Sequence, residues 1–297
     1  MGTEAVTCVV LNWNGGKETL DCLRSVLASE GVETNILVVD NGSTDGSDRE
    51  IARNFPQVTL LKNSSNVGVA AAWNQAMRWA RQHNSAFLFF INSDATVEKD
   101  CLILLKEALL SNPYVAMVTP RILDGRTPNV VWYDGGYFNF FGDPVHAKTV
   151  KDDTIRAEDF ATGCALLMRS EVSDKIGMFD ETFFAYSEDA DLSMRATKAG
   201  FTILHIPNAI ATHYPSTPTI RNEGKWFRDY YVTRNKLLLV QRHVSGLRWT
   251  LFLLYFAFKY VMIPILYFTL TGQFKRIAGV GAGIRDFITG RFGMRYS

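Results

Sequence analysis

The sequence predicts an α/β fold with a mostly parallel central sheet, helices on both of its faces, and an apolar, basic helical tail. Three observations lead there. Short β-branched runs alternate with helical periodicity through roughly the first hundred residues, the pattern of βαβ units. The runs are continuously apolar, which implies strands covered on both faces. Polar clusters recur at the carboxyl end of each run, where an open α/β sheet forms its ligand crevice.

In order, residues 6–11 form the first strand and end at Asn12-Trp13-Asn14-Gly15-Gly16. Residues 17–29 place Leu20, Leu23, Val26 and Leu27 at helical spacing. Residues 36–39 give a second strand, ending at Asp40-Asn41-Gly42-Ser43. Residues 58–61 give a third, before an Asn-rich loop and a helix over about 69–82. Residues 86–91 give a fourth, ending at Asn92-Ser93-Asp94, with a helix expected over 97–110. From Pro120 to about Phe160 the pattern weakens into a Gly- and aromatic-rich insert. Residues 161–169 read as a strand, 188–199 as a helix closed by Gly200, and 201–206 as a strand stopped by Pro207.

Charged residues at 21% and hydrophobic ones at 47% exclude a disordered or low-complexity chain. The net charge of +1 is unevenly spread. Residues 1–220 carry 18 Lys and Arg against 27 Asp and Glu, and residues 221–297 carry 13 against 3. Four cysteines without CxxC spacing read as reduced thiols of a cytosolic protein. The N-terminus has neither a secretory signal nor a myristoylation pattern. With no G-x-G-x-x-G after the first strand and no P-loop, dinucleotide and P-loop chemistry are excluded.

Five constellations bear on chemistry. Asp40 after an apolar strand can accept hydrogen bonds from a base or ribose, or serve ordinary turn chemistry. Asn66 and Gly68, ahead of a helix N-terminus, suit close approach of a phosphate, or simply a polar loop. Asn92-Ser93-Asp94 places Asp94 to bind a hard cation, Mg2+ or Mn2+, through oxygen, or to cap the next helix. Glu188, Asp189 and Asp191 crowd one helix start. The helix dipole there favours ionised acids at neutral pH. Asp191 pairs with Arg195 at i,i+4, which leaves Glu188 or Asp189 as a candidate general base. His213 matters only if it converges on Asp94.

The ordered motifs V-V-L-N-W-N-G, V-V-D-N-G-S-T-D, N-x-G at Asn66, N-S-D, T-G-C-A, E-D-A-D-L-S-M-R and H-Y resemble the inverting glycosyltransferases of family 2, in the bacterial rhamnosyltransferase-like branch. The resemblance spans roughly residues 5–240 and implies a GT-A fold. Residues 1–100 would form the nucleotide-binding half and 101–220 the acceptor half, with 241–297 as a tail. It implies Asp40 as the nucleoside-binding acid, with Asn12 beside it. The loops at Asn66, Gly68, Asn92 and Ser93 would complete the nucleotide site. Asp94 and His213 would hold the divalent cation and Asp189 would be the base. Glu188 would support the base or bind acceptor, and Gly163 would lie where the donor and acceptor sugars meet. Asn92 departs from the family's D-x-D, whose first Asp it replaces. A neutral amide is a weaker ligand, which bears on metal affinity more than on the fold. The implied donor is dTDP-rhamnose first and a UDP-sugar second. The implied acceptor is a glycan or lipid-linked glycan hydroxyl, in cell-surface polysaccharide synthesis. A sugar-phosphate nucleotidyltransferase would carry a Gly-rich basic loop after its first strand, which 12–16 does not match. A catalytically idle scaffold would not need Asp94, Asp189 and His213 together.

Residues 249–271 contain one charge, Lys259, plus Pro264, with Arg242, Arg248, Lys275 and Arg276 on the flanks. The stretch is long enough to span a bilayer, but a central lysine costs roughly 2.5–3.5 kcal/mol on insertion scales. A helix kinked at Pro264 and seated on the anionic cytoplasmic face of the membrane is expected. A homodimer interface is the alternative. Nucleic acid is not, because the basic residues flank an apolar helix instead of lining a groove.

Overall fold

The computed structural model describes the backbone of residues 3–215 and 218–295, with side chains for 5–215 and 224–295. Its first half is built of βαβ units. Strand β1 (Thr3–Asn12) leads to α1 (Gly16–Leu27), β2 (Thr34–Asp40), α2 (Ser47–Asn54), β3 (Thr59–Lys62), α3 (Val69–Gln82) and β4 (Ser85–Asn92). These four strands are parallel in the order β3-β2-β1-β4. The strand order reverses at β1, which opens the crevice at its carboxyl end. Side chains alternate along β1: Val6, Cys8 and Val10 enter the core under α1, and Val9 enters the core under Trp73 and Met77 of α3. Both faces are covered, as the apolar runs require. All four cysteines are free and buried.

The second half begins with β5 (Ala95–Val97), α4 (Cys101–Leu110) and β6 (Val115–Asp124). Helix α4 starts seven residues after Asp94, so that acid is not its cap. Strand β6 also runs through Pro120, where the sequence reading began the insert. The insert itself carries β7 (Val131–Tyr133), β8 (Gly136–Phe138), β9 (Pro144–His146) and β10 (Arg156–Glu158). Strand β11 (Ala165–Arg169) lies antiparallel between β4 and β6 and is followed by α5 (Val172–Ile176). Then come α6 (Glu188–Lys198) and β12 (Thr202–His213).

Strand β12 corrects an expectation. It continues past Pro207, because its register against β6 shifts between Ile206 and Ile210. A proline is accommodated at such an irregularity, where a ladder hydrogen bond is already missing. The extension carries the strand to His213, opposite Ala95 of β5.

The chain then enters α7 (Pro218–His243), kinked at Gly224, followed by α8 (Gly246–Phe256), a π-helical stretch (Ala257–Met262), α9 (Ile263–Leu270) and α10 (Phe274–Ile288). Residues Gly246–Leu270 form one helix long and apolar enough to cross a membrane. The irregularity sits before Pro264 rather than as a kink at it. A proline removes an amide from the helical ladder, and a π turn absorbs that loss. Helix α10 folds back on α7, with Gly279 and Gly283 against the carbonyls of Trp226 and Tyr230. Arg276 to Asp229 and Tyr230 to Asp286 tie the pair together.

Candidate active site

The carboxyl edge of the sheet, α7 and the insert enclose a cavity of about 620 Å³. On one side β1 and β2 end in register partners, Asn12 opposite Asp40. Asn12 is wholly buried, and its amide is consumed within the chain. It donates to Asp40 Oδ1 (2.7 Å), Ser47 Oγ (2.8 Å) and Ser43 Oγ (3.1 Å), and accepts from Thr19 Oγ1 (2.7 Å). Asn12 therefore braces Asp40; both are buried, and neither lines the cavity. The next residue, Asn41, does line it, and donates to Asn66 Oδ1 at 2.8 Å. Asn66 Oδ1 also accepts from Gly68 N at 2.9 Å. Gly68 has φ 91°, and a Cβ there would come within 2.6 Å of Phe184. Glycine is needed for the path and for the contact.

The adjoining wall carries Asn92, Ser93 and Asp94. His213 reaches Asp94 from β12, with Nε2 3.2 Å from Asp94 Oδ1. Both residues are buried, yet Asp94 Oδ2 and both ring nitrogens of His213 have no hydrogen-bond partner. Buried polar atoms are rarely left so. A neutral imidazole and a carboxylate are ordinary ligands of a divalent cation, so this pair fits one. Among the described residues no third His, Cys, Asp or Glu joins them in a metal-holding group.

The same cavity is lined by Glu188 and Asp189, in the first turn of α6. Asp189 Oδ2 accepts from Gly163 N and Oδ1 from Ala190 N, both at 2.8 Å. A Cβ on Gly163 would lie 2.5 Å from the Trp73 ring, so only glycine brings that amide to the carboxylate. Glu188 Oε2 is buried without a partner. Burial, and then the charge of Asp189, push the Glu188 carboxyl well above the usual range. Burial raises Asp189 as well, opposed by the amides of Gly163 and Ala190. The expectation that the helix dipole keeps the acids fully ionised is corrected for Glu188, where desolvation outweighs the dipole. Asp191 differs. Burial would raise it, but His243 and Arg195, both at 2.8 Å, hold it below the usual value.

The turn leading into α6 is strained. Phe184, Tyr186 and Ser187 have φ of 61°, 67° and 74°, and such non-glycine residues cost about 1–3 kcal/mol each.

Several cavity residues were not singled out in the sequence. Trp132 stacks edge-on to His213 and to His146, with centroids 4.6 and 4.8 Å apart. Burial, then Lys148 and His213, lower the His146 pKa to about 4. Trp13 enters from the β1 loop, and Arg228 and Lys236 from α7. The buried Lys236 ammonium pairs with Asp143. The spacing of eight between Arg228 and Lys236 on a long amphipathic segment was the one available signal.

The sequence pattern of Glycosyl transferase family 2 matches residues 7–177. The chain is 24% identical over 279 residues to the N-acetylglucosaminyl-diphospho-decaprenol L-rhamnosyltransferase of Mycobacterium tuberculosis, covering 84% of this chain and 90% of that one. It is 20% identical to the dTDP-rhamnosyl transferase RfbF of Shigella flexneri, over 80% of each chain. Among solved structures, GalNAc-T7 with UDP, GalNAc and Mn2+ superposes with a TM-score of 0.58 at 14% identity. That match covers 78% of this chain and 50% of that one, and it shows that the two share a fold.

Proposed function

The chain belongs to glycosyl transferase family 2, and on that premise we propose that it transfers a sugar, with inversion, from a nucleoside diphosphate donor to a hydroxyl of a lipid-linked glycan. The observation that carries this is the division of one cavity. A buried Asp94–His213 pair with unspent ligand atoms and the buried Glu188–Asp189 acid pair line the same cavity. Inverting transfer needs those two functions, and needs them apart. dTDP-rhamnose is the first donor to test, since two of the similar proteins are named as rhamnosyl transferases. A UDP-sugar is the second.

Asp40, braced by Asn12, accepts hydrogen bonds from the nucleoside. The loops at Asn66, Gly68, Asn92 and Ser93 contact the rest of the nucleotide. Asp94 and His213 would hold a divalent cation, which supplies Lewis-acid stabilisation of the departing diphosphate when bound. Asp189 takes the proton of the acceptor hydroxyl as its oxygen bonds to the anomeric carbon and the bond from that carbon to the diphosphate oxygen breaks. The amides of Gly163 and Ala190 aim its carboxylate. Glu188 binds the acceptor beside it.

The tail seats the enzyme on a membrane surface, and the cytoplasmic leaflet is the side to test. Along Gly246–Leu270, Phe252, Phe256 and Phe268 pack inward, while Leu254, Phe258, Met262, Leu266 and Leu270 are exposed. Lys259 does not face the exposed row. It donates to Tyr255 Oη at 2.5 Å and lies 3.7 Å from the buried Asp143. One face on protein and one face free fits a helix lying in the interface. Arg248 and Lys275 add attraction to anionic headgroups.

The test is transfer by purified full-length chain, supplied with dTDP-rhamnose or UDP-sugars, a polyprenyl-diphosphate glycan acceptor, and Mn2+ or Mg2+. Metal-dependent release of nucleoside diphosphate with a glycosylated lipid product supports the reading. No turnover and no nucleotide binding with any of them refutes it.

A further inference from the structure

Arg234 and Asn235 sit side by side on α7, 1% and 0% exposed. Neither touches the cavity. Both spend their donors on the turn that leads into the acid pair. Asn235 Nδ2 donates to the carbonyls of Phe183 (2.7 Å), Ala185 (2.7 Å) and Tyr186 (2.9 Å). Arg234 Nη2 donates to the carbonyls of Phe183 (3.1 Å) and Thr182 (3.2 Å). Arg234 Nε donates to Asn235 Oδ1 at 2.9 Å, which fixes which end of the amide faces the turn.

The carbonyls they take lie in, and just before, a stretch that contains three left-handed residues. Phe184, Tyr186 and Ser187 have positive φ, so the chain between the 3-10 turn Glu181–Phe183 and α6 follows no helix or sheet ladder, and the buried carbonyls of Ala185 and Tyr186 need donors from elsewhere. Helix α6 starts immediately after it, with Asp191 N donating to Ser187 O at 3.0 Å. The turn thus sets the direction of the first turn of α6, and with it where Glu188 and Asp189 point. A strained path persists only where its surroundings over-determine it, and two buried side chains whose donors reach four of its carbonyls do so here. Released, the three residues would relax to negative φ and swing the acids.

We infer that Arg234 and Asn235 are positioning residues for the transfer, holding residues 183–187 in a left-handed path that fixes Glu188 and Asp189 in the cavity. The inference rests on the reading of Asp189 as the base. It reaches into the tail as well: Arg234 Nη1 donates to Gly293 O (2.8 Å), and Gly293 N donates to Thr182 O (2.9 Å).

The experiment compares full-length wild type, Asn235→Ala, Arg234→Lys and the double variant Asn235→Ala with Ser187→Gly. It reads kcat, donor KM, nucleoside diphosphate binding, and amide hydrogen exchange over residues 183–190. Asn235→Ala should lower kcat by about 100-fold, the usual effect of misplacing a reacting group. Nucleotide binding should hold, and exchange should quicken over 183–190 and not in β1 or β2. Arg234→Lys, which keeps the charge and one donor, should show the same pattern more weakly. Ser187→Gly in the Asn235→Ala background should restore part of the turnover, because glycine takes positive φ unaided; lost packing would not be repaired that way. Wild-type kcat and wild-type exchange in Asn235→Ala overturn the inference, as does a kcat loss without faster exchange or rescue. If the wild type transfers no sugar, the functional reading fails, and the exchange data still decide whether the clamp holds the turn.

Discussion

Asp94 and His213 are brought together by strand register: His213 pairs with Ala95, and Tyr214 N donates to the Asp94 carbonyl at 2.8 Å. Their side chains stop 3.2 Å apart without a hydrogen bond, three of their polar atoms unspent. A cation held as proposed, by these two residues and a donor diphosphate, would bind with an affinity that rises together with that of the nucleotide. Asp94→Asn or His213→Ala should weaken Mn2+-dependent nucleotide binding by more than the roughly 10–100-fold typical of outer-shell partners. Thermal shift with nucleoside diphosphate, with and without Mn2+, reads this through mass action. Equal nucleotide binding with and without metal in the wild type would remove the assignment.

Asp189 and Glu188 adjoin in sequence and are held differently. Asp189 is aimed by two backbone amides, whereas Glu188 has an unpartnered oxygen; burial raises the pKa of both. Asp189→Asn should lower kcat by about 10²–10⁴-fold, the range for a general base, with donor binding intact. Glu188→Gln should act mainly on acceptor KM. The reverse pattern, with Glu188→Gln abolishing turnover and Asp189→Asn sparing it, would transfer the role of base to Glu188.

The alternation of strands and helices, and the acids at strand ends, were legible because both follow from local hydropathy and turn chemistry. The extension of β12 past Pro207 was not, since it depends on a register shift that only the neighbouring strand defines. By spacing His213 was a lone histidine, joined to Asp94 only through the family resemblance, and strand pairing is what brings the two together. The same limit hid Arg234 and Asn235. In sequence they are polar residues in an aromatic helix, and their meaning lies in carbonyls some fifty positions earlier. The protonation of Glu188 was misread because a helix start announces its dipole in the sequence, while burial does not.

Glu158 offers a test by pH. The residue is half-buried, but its carboxyl group is enclosed. Burial pushes its pKa from 4.5 to about 8, against hydrogen bonds from Thr119 Oγ1 (2.5 Å) and Gly136 N (2.8 Å). Tyr133 Oη stands 2.7 Å from Phe160 O and 2.9 Å from Glu158 Oε1. Its single hydrogen cannot serve both, which favours a protonated Glu158 donating to the phenol. A group holding its proton more tightly when folded stabilises fully below its unfolded pKa, and that contribution is lost as pH rises through the folded one. Stability owed to Glu158 should therefore fall between about pH 4.5 and 8. Glu158→Gln should flatten that part of the profile in denaturant titrations run at several pH values. Parallel wild-type and variant curves across the window would show that Glu158 ionises alike in both states.

The outward row of the tail helix gives the last prediction. Deleting residues 245–297 is a poor test of membrane seating, because it also removes the Asp286 and Gly293 contacts to α7. Point charges are cleaner. Leu254, Met262 and Leu266 are 67%, 57% and 61% exposed, so glutamate at each costs the fold little. Burying such side chains in lipid is worth about 1.5–3 kcal/mol each, and anionic headgroups would repel the added charge. Leu254→Glu with Leu266→Glu should shift the chain from the pellet to the supernatant in sedimentation with anionic vesicles, and leave nucleotide binding unchanged. Raised salt should weaken wild-type binding only in part, since screening touches the basic flanks and not the apolar row. A wild-type chain that ignores vesicles and runs as a dimer, and as a monomer once the glutamates are introduced, would assign the row to a second copy of this chain instead of a bilayer.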